Sequence, residues 1–310
     1  MGETRIGSLP LRLIRLVHIL LVLSLIGLMV LSFPLGLYMV LTASTHDAIK
    51  AIFILLWLIY FVLFIKAMLG PHLKLEKVPQ SVLKGGLGSI FGNTLSTLAV
   101  TFSALILITM FILLLQESAG IPTGSLPEMD PVLMFVSDST APILEETVFR
   151  MGIIGMVATL LLAIKGVRFN LFKVLWHPAR HLSWTRSDMR ILYLIVFISG
   201  SLFGLAHIAF GAGWEIGKVT TSSMVGIILG FIYVNYGFPG AVLLHWSFNY
   251  FLGSFYYFEK VVGESFLPYF ADFVIVMTGI WSMAFLFIYL LQSITRIRGR
   301  LEETRIYNAP

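Results

Sequence analysis

The chain contains no cysteine. That excludes disulfides, thiolate metal sites and a cysteine nucleophile together. Charge is scarce as well. Asp, Glu, Lys and Arg make up 12% of the 310 residues, about half the ~25% of a soluble domain. Neither a Gly-x-Gly-Asp nor a Gly-x-Ser-x-Gly sequence occurs, and His-Glu-x-x-His is absent. The usual aspartyl, serine and zinc hydrolase signatures are therefore missing. There is no internal repeat and no low-complexity tract.

What is present is hydrocarbon. Apolar residues account for 58% of the chain, and the mean hydropathy is +0.92. Runs of about 20 apolar residues cross a bilayer. Such runs fall at 16–41, 48–69, 94–115, 141–164, 190–210, 219–236, 240–258 and 267–294. The first is longer than the ~7–15-residue core of a signal sequence, so a retained helix is expected there. Asp130 followed by Pro131 is a helix N-cap and first-turn pair, which would start the fourth helix early and leave Pro142 to kink it. The expected fold is all-α: a polytopic transmembrane helical bundle of about eight spans, forming one membrane-embedded domain over residues 1–310.

The net charge of +5 reflects topology. Lys and Arg mark cytoplasmic loops. Arg5, Arg12 and Arg15, the second connector, the fourth connector and the C-terminal tail share one side and carry seventeen of them. Lys50, Lys218 and Lys260 lie on the other. Both termini are expected in the cytoplasm of an integral, multi-pass protein. The basic residues flank spans without a recognition motif, so no nucleic-acid partner is expected. The basic stretch 165–190, with Trp176 and Trp184, reads equally as a short headgroup-layer helix or as a solvated connector.

Against this background, polar residues inside spans stand out, because each charge near mid-bilayer costs roughly 2.5–3.5 kcal/mol on insertion scales. Glu145 and Glu146 are adjacent, and Arg150 follows. Residues four apart share a helix face, so Arg150 is expected to hold Glu146 and to leave Glu145 as the free carboxylate. Phe203 and His207 are four apart, as are His245 and Asn249. A free carboxylate with an imidazole can hold a water molecule and take its proton; Glu145 and His207 are the candidates. An imidazole and an amide on one face, His245 and Asn249, can stabilise an oxyanion, worth about 2.7–4 kcal/mol per donor. Gly200/Gly204, Gly226/Gly230, Gly152 and Gly155 offer close helix approach.

Glu145-Glu146-x-x-x-Arg150, Phe203-x-x-x-His207 and His245-x-x-x-Asn249, in this order on successive spans, resemble the three motifs of the CPBP family. That family comprises the type II CAAX prenyl proteases and the bacteriocin-processing Abi proteins. The resemblance spans roughly 130–258 and implies a four-helix catalytic bundle at 131–258 within an eight-helix glutamate-dependent intramembrane endopeptidase. By matching position, Glu145 with His207 activates water and His245 with Asn249 forms the oxyanion hole. Glu146, Arg150 and Phe203 support them. The implied substrate is a membrane-anchored peptide or protein, prenylated or of bacteriocin or lipoprotein type. No cofactor is implied, and the alternative is a zinc ion held by Glu145, His207 and His245.

Competing readings remain open at this level. The carboxylates could be satisfied structurally by Arg150, and His245 with Asn249 could glue helices together. A proton-coupled transporter would use the same Glu and His residues as a relay, and a non-catalytic immunity or scaffold protein would keep them for stability. His177 and His181 have metal-like spacing, but Pro178 between them argues for an interfacial role. His18, His46 and His72 fall near span ends. Asp138 and Asp272 stay outside the site set. One conflict of depth also stands. At about 1.5 Å per residue, Glu145 and His207 reach similar heights above the basic fourth connector. His245, in contrast, lies only a few residues past the turn at Gly237–Gly240. Either helices four and five extend into the cytoplasm, or that turn lies within the membrane.

Overall fold

The computed structural model describes residues 8–70, 72–85, 87–181, 184–210 and 213–307; Arg5 lies outside them. The elements are α1 (Ser8–Thr42), α2 (Asp47–Leu69), α3 (Val78–Gly85), α4 (Thr94–Ser118), α5 (Pro131–Glu146), α6 (Met156–Ile164), α7 (Leu171–Trp176), α8 (Arg186–Phe210), α9 (Ile216–Trp246), α10 (Leu252–Val262) and α11 (Phe266–Tyr307). Two π-helical stretches, Thr147–Gly155 and Ser247–Phe251, join α5 to α6 and α9 to α10. Among the described residues there is no strand, only a bridge between Gly124 and Trp214. The all-α expectation holds.

Among the described residues, seven helical segments are long and apolar enough to span a bilayer, and the sixth runs from Ile216 to Val262. That segment is two of the expected spans joined without a loop. Gly237, at φ 78° and ψ −179°, breaks the helix inside it. A side chain there would also collide, since a Cβ would lie 2.6 Å from Trp176 O. The fourth span starts where Asp130 and Pro131 direct it: Asp130 Oδ1 accepts from Val132 N and Leu133 N, each at 3.0 Å.

The depth conflict resolves at this bend. Tyr233 OH donates to Leu175 O at 2.7 Å, and the Trp176 and Phe238 rings pack 5.5 Å apart. The fourth connector therefore folds back under the bend, with the short helix α7 and the turn Pro178–His181 lying against α9. His177 is buried in this packing; the side chain of His181 lies outside the described residues. The bend is thus inside the bundle, and α6 and α8 continue past it. That raises His245 to the level of the glutamates. The connector is neither purely solvated nor purely interfacial: Phe172 is exposed, whereas Val174 is buried.

Two kinds of packing hold the helices that carry the motifs. Small residues bring α8 and α9 together. A Cβ on Gly200 would lie 2.6 Å from Ile227 N, and one on Gly226 would lie 3.0 Å from Gly200 O. Gly155 likewise admits Tyr233 and Leu175, whereas Gly152 meets only its own helix. On the other side, rings from α1, α2, α5 and α9 form an aromatic block behind His245. Phe33 stacks on Trp246 at 5.2 Å, and Trp246 stacks on Tyr250 at 5.3 Å. Tyr60 OH donates to Ser139 O at 2.6 Å, tying α2 to α5. His18 is fully buried and stacks on Phe285, well inside the bundle.

If the α8–α9 crossing depends on absent side chains, Gly200→Ala should lower the thermal midpoint of the purified protein in detergent. Overpacking of this kind costs about 1–3 kcal/mol. Gly27→Ala, at a position with nothing within 4 Å, should leave the midpoint unchanged.

Candidate active site

The first π-helical stretch begins immediately after Glu146 and the second two residues after His245. Glu145 and Glu146 end α5, and Arg150 lies within the first stretch. His245 sits one residue before the end of α9, and Asn249 lies within the second. In a π-helix the chain bonds i to i+5 and turns less per residue, so groups four apart come closer to eclipsing; such bulges are frequent at functional sites. Here they aim each motif as a unit at the facing helix.

The expected ion pair is present. Arg150 Nε lies 3.0 Å from Glu146 Oε2, and both side chains are fully buried. Arg150 also donates to Ser199 Oγ at 3.3 Å, and Ser199 in turn donates to Phe149 O at 2.8 Å, which ties this helix to α8. Glu146 Oε1 lies 2.9 Å from His245 Nδ1. A carboxylate bound to a guanidinium is an acceptor, so Nδ1 carries the proton. Glu145 is 35% exposed, and its Oε2 stands 3.7 Å from His245 Nε2. His245 is therefore set between two carboxylates, a connection that spacing along the chain does not disclose.

His207 is fixed in a similar way. Its Nδ1 donates to Phe203 O at 2.8 Å, one turn back on α8. Since a carbonyl only accepts, Nε2 is left as the free nitrogen. Phe203 is buried and its ring touches three motif residues. It meets His207 edge-on at 4.8 Å and His245 at 5.8 Å, and the Arg150 guanidinium carbon lies 5.0 Å over its face. Phe203 is packing that meets both imidazoles and the arginine at once. Asn249 uses one amide N–H on Asp138 O at 3.2 Å, and its second N–H remains for another acceptor.

Glu145, His207, His245 and Asn249 all line one cavity of about 1220 Å³. Glu146 and Arg150 lie behind its wall. The cavity also takes in residues outside the sequence-level set. Asp138 accepts from Tyr257 OH at 3.0 Å, and Lys218 lies 3.9 Å over the ring of Trp214. Asp272 lines it as well. Asp138 was visible as an acid two helical turns before Glu145, on the same face of α5. Lys218 gave no signal, because it sits at a span end where lysine is ordinary.

The arrangement supplies a carboxylate and two imidazoles, each imidazole oriented by a fixed Nδ1 acceptor, beside an amide donor. Among the described residues, no three His, Asp or Glu side chains are grouped as a metal site requires.

Comparison with known proteins adds one match. Residues 127–251 fit the model of the family described as type II CAAX prenyl endopeptidase Rce1-like, a stretch that contains every motif residue. No curated protein and no solved structure matched the chain.

Arg150→Met should strand Glu146 as a buried charge and destabilise the protein by about 3–5 kcal/mol, read from denaturant unfolding in detergent. The double variant Glu146→Gln/Arg150→Met should regain part of that loss. If the double variant is no more stable than the single, the pair is not what neutralises Glu146.

Proposed function

From the match of residues 127–251 to the model of the Rce1-like type II CAAX prenyl endopeptidase family, we propose that the chain hydrolyses a peptide bond of a membrane-associated protein inside the bilayer, with Glu145 as general base. The observation that carries this reading is the convergence of Glu145, His207, His245 and Asn249 on one cavity, with Glu146 and Arg150 neutralising each other behind them.

In this mechanism a water molecule donates one hydrogen bond to Glu145 and one to His207 Nε2, leaving an oxygen lone pair for the substrate carbonyl. As the C–O bond forms, Glu145 takes the proton and then gives it to the leaving amine when the C–N bond breaks. The oxyanion accepts from the second N–H of Asn249 and from His245. To donate, His245 must carry a proton on Nε2 as well as Nδ1, and Glu146 and Glu145 supply the counter-charge for that imidazolium. No metal takes part. The substrate class is the one named in the family description, a C-terminal CAAX-type tail, prenylated and held at the membrane. A transmembrane proton relay fits the geometry less well, because the cavity lining takes in neither the bend at Gly237 nor Trp176 and His177 packed against it.

The test uses a quenched fluorescent CAAX peptide, farnesylated on its cysteine, in proteoliposomes. Glu145→Gln should abolish cleavage while leaving the thermal midpoint intact. Asn249→Ala should slow it by about 10²–10³, the usual effect of removing one oxyanion donor. Addition of EDTA or phenanthroline should change nothing. Cleavage by Glu145→Gln at the parental rate excludes this mechanism; loss of activity on chelation replaces it with the zinc alternative.

A further inference from the structure

The walls of the active-site cavity differ in charge. Asp138 and Glu145 on α5, Glu259 on α10 and Asp272 on α11 all line it. Lys218, in the first turn of α9, is the single Lys or Arg among the described lining residues. No carboxylate stands within ion-pair distance of its ammonium among the described residues. Instead, Nζ lies 3.9 Å from the centroid of the Trp214 ring. The ring face attracts the charge but offers no oxygen, so the ammonium keeps N–H donors for another acceptor.

This corner has a fixed shape. The residues on either side of Trp214 are clamped to the connector after α4: Ser125 N donates to Gly213 O at 3.1 Å, and Glu215 N to Thr123 O at 3.0 Å. Gly217 N donates to Pro122 O at 2.8 Å, and Gln116 Nε2 to Gly217 O at 3.1 Å. The height of the corner is set by the glycine crossing. A Cβ on Gly200 would lie 2.6 Å from Ile227 N, and one on Gly204 would lie 2.6 Å from Val219 O. The helices α8 and α9 therefore run antiparallel in contact, which brings Lys218 level with His207, one turn past Gly204. Packed helix axes are about 8–10 Å apart. The lysine thus stands one helix away from the pair that activates water.

We propose that Lys218, seated on Trp214, binds the free C-terminal carboxylate of the substrate and so sets which bond reaches Glu145. The proposal rests on the peptidase reading and adds to it a direction for the bound chain. A CAAX tail ends three residues after its cysteine, and three extended residues span at most about 10 Å. A bond broken after that cysteine, between Glu145 and His207, leaves the chain end within reach of the first turn of α9. The remaining walls offer the chain end only carboxyl groups, at Asp138, Glu259 and Asp272. An internal segment of a membrane protein carries no such terminal group. Lys218 therefore selects chain ends over internal bonds.

Because the charge of Lys218 also acts on Glu145, the test compares two substrates on each enzyme. The farnesylated CAAX peptide is supplied with a free C-terminal carboxylate and as its C-terminal amide, in proteoliposomes. The acid should be cleaved with a kcat/KM about tenfold or more above that of the amide, the scale of one charge-assisted hydrogen bond. Lys218→Met and Lys218→Gln should abolish that preference by slowing the acid, and Lys218→Arg should keep most of it. The proposal is overturned if the parental protein shows no preference, if the neutral variants retain it, or if they slow both peptides equally. Binding gives a second readout that needs no turnover. On Glu145→Gln, fluorescence anisotropy of a dye-labelled peptide should show the acid bound about tenfold or more tighter than the amide. The double variant Glu145→Gln/Lys218→Met should bind the two alike. A protein that cleaves neither peptide but shows this Lys218-dependent difference loses the mechanism and keeps the anchor. Equal binding of acid and amide to Glu145→Gln overturns the anchor.

Discussion

A charge has to be neutralised wherever water is excluded, and in this protein that requirement fixes the centre of the structure. Glu146 and Arg150 are fully buried, so each needs the other. Their pairing sets the rotation of the fourth span, and from that rotation the rest follows. Glu146 has a second oxygen for His245, Arg150 reaches Ser199 on α8, and its guanidinium lies over Phe203. One ion pair therefore positions residues from three helices. Removing either partner disturbs all of them, because an unpaired charge is worse than no charge.

The layers behind the site explain how such polar groups persist in an apolar bundle. Small residues at Gly200 and Gly226 let two backbones touch, which places Phe203 within reach of both imidazoles. The aromatic block around Trp246 and Tyr250 supports the helix of His245 and Asn249 from the far side. The polar residues thus occupy a seam between a tight glycine crossing and a bulky ring cluster. Side chains there have little freedom to turn toward lipid.

The parts of this plan that depend on local repetition could be read from the chain. Span positions, the Asp130–Pro131 helix start and the Glu146–Arg150 pair follow from hydropathy and four-residue spacing. The motif residues stood out because charge in hydrocarbon is rare. What depended on chain reversal could be read only in part. The turn at Gly237–Gly240 is visible in the chain, but spacing leaves its depth between two alternatives, and the connector that holds α7 reads equally as a headgroup-layer helix or a solvated stretch. Both arise from contacts between residues about sixty positions apart, such as Tyr233 and Leu175. The placement of His245 between two carboxylates and the inclusion of Lys218 in the cavity belong to the same class. The π-helical stretches were hidden for another reason: their residues are ordinary helix formers, and only the hydrogen-bond pitch differs.

That change of pitch separates two demands on one rod. The inner part of each motif helix must match its neighbours to stay anchored, while the outer part must present its functional groups to the interior. With a regular pitch, satisfying one phase dictates the other. The wide turns over Thr147–Gly155 and Ser247–Phe251 absorb an offset, so the two halves are clocked independently. Chain length between Glu146 and Lys165 is consequently constrained even though no residue in between does chemistry. Losing one residue there shifts the angular phase by about 100° and swings both glutamates off their partners.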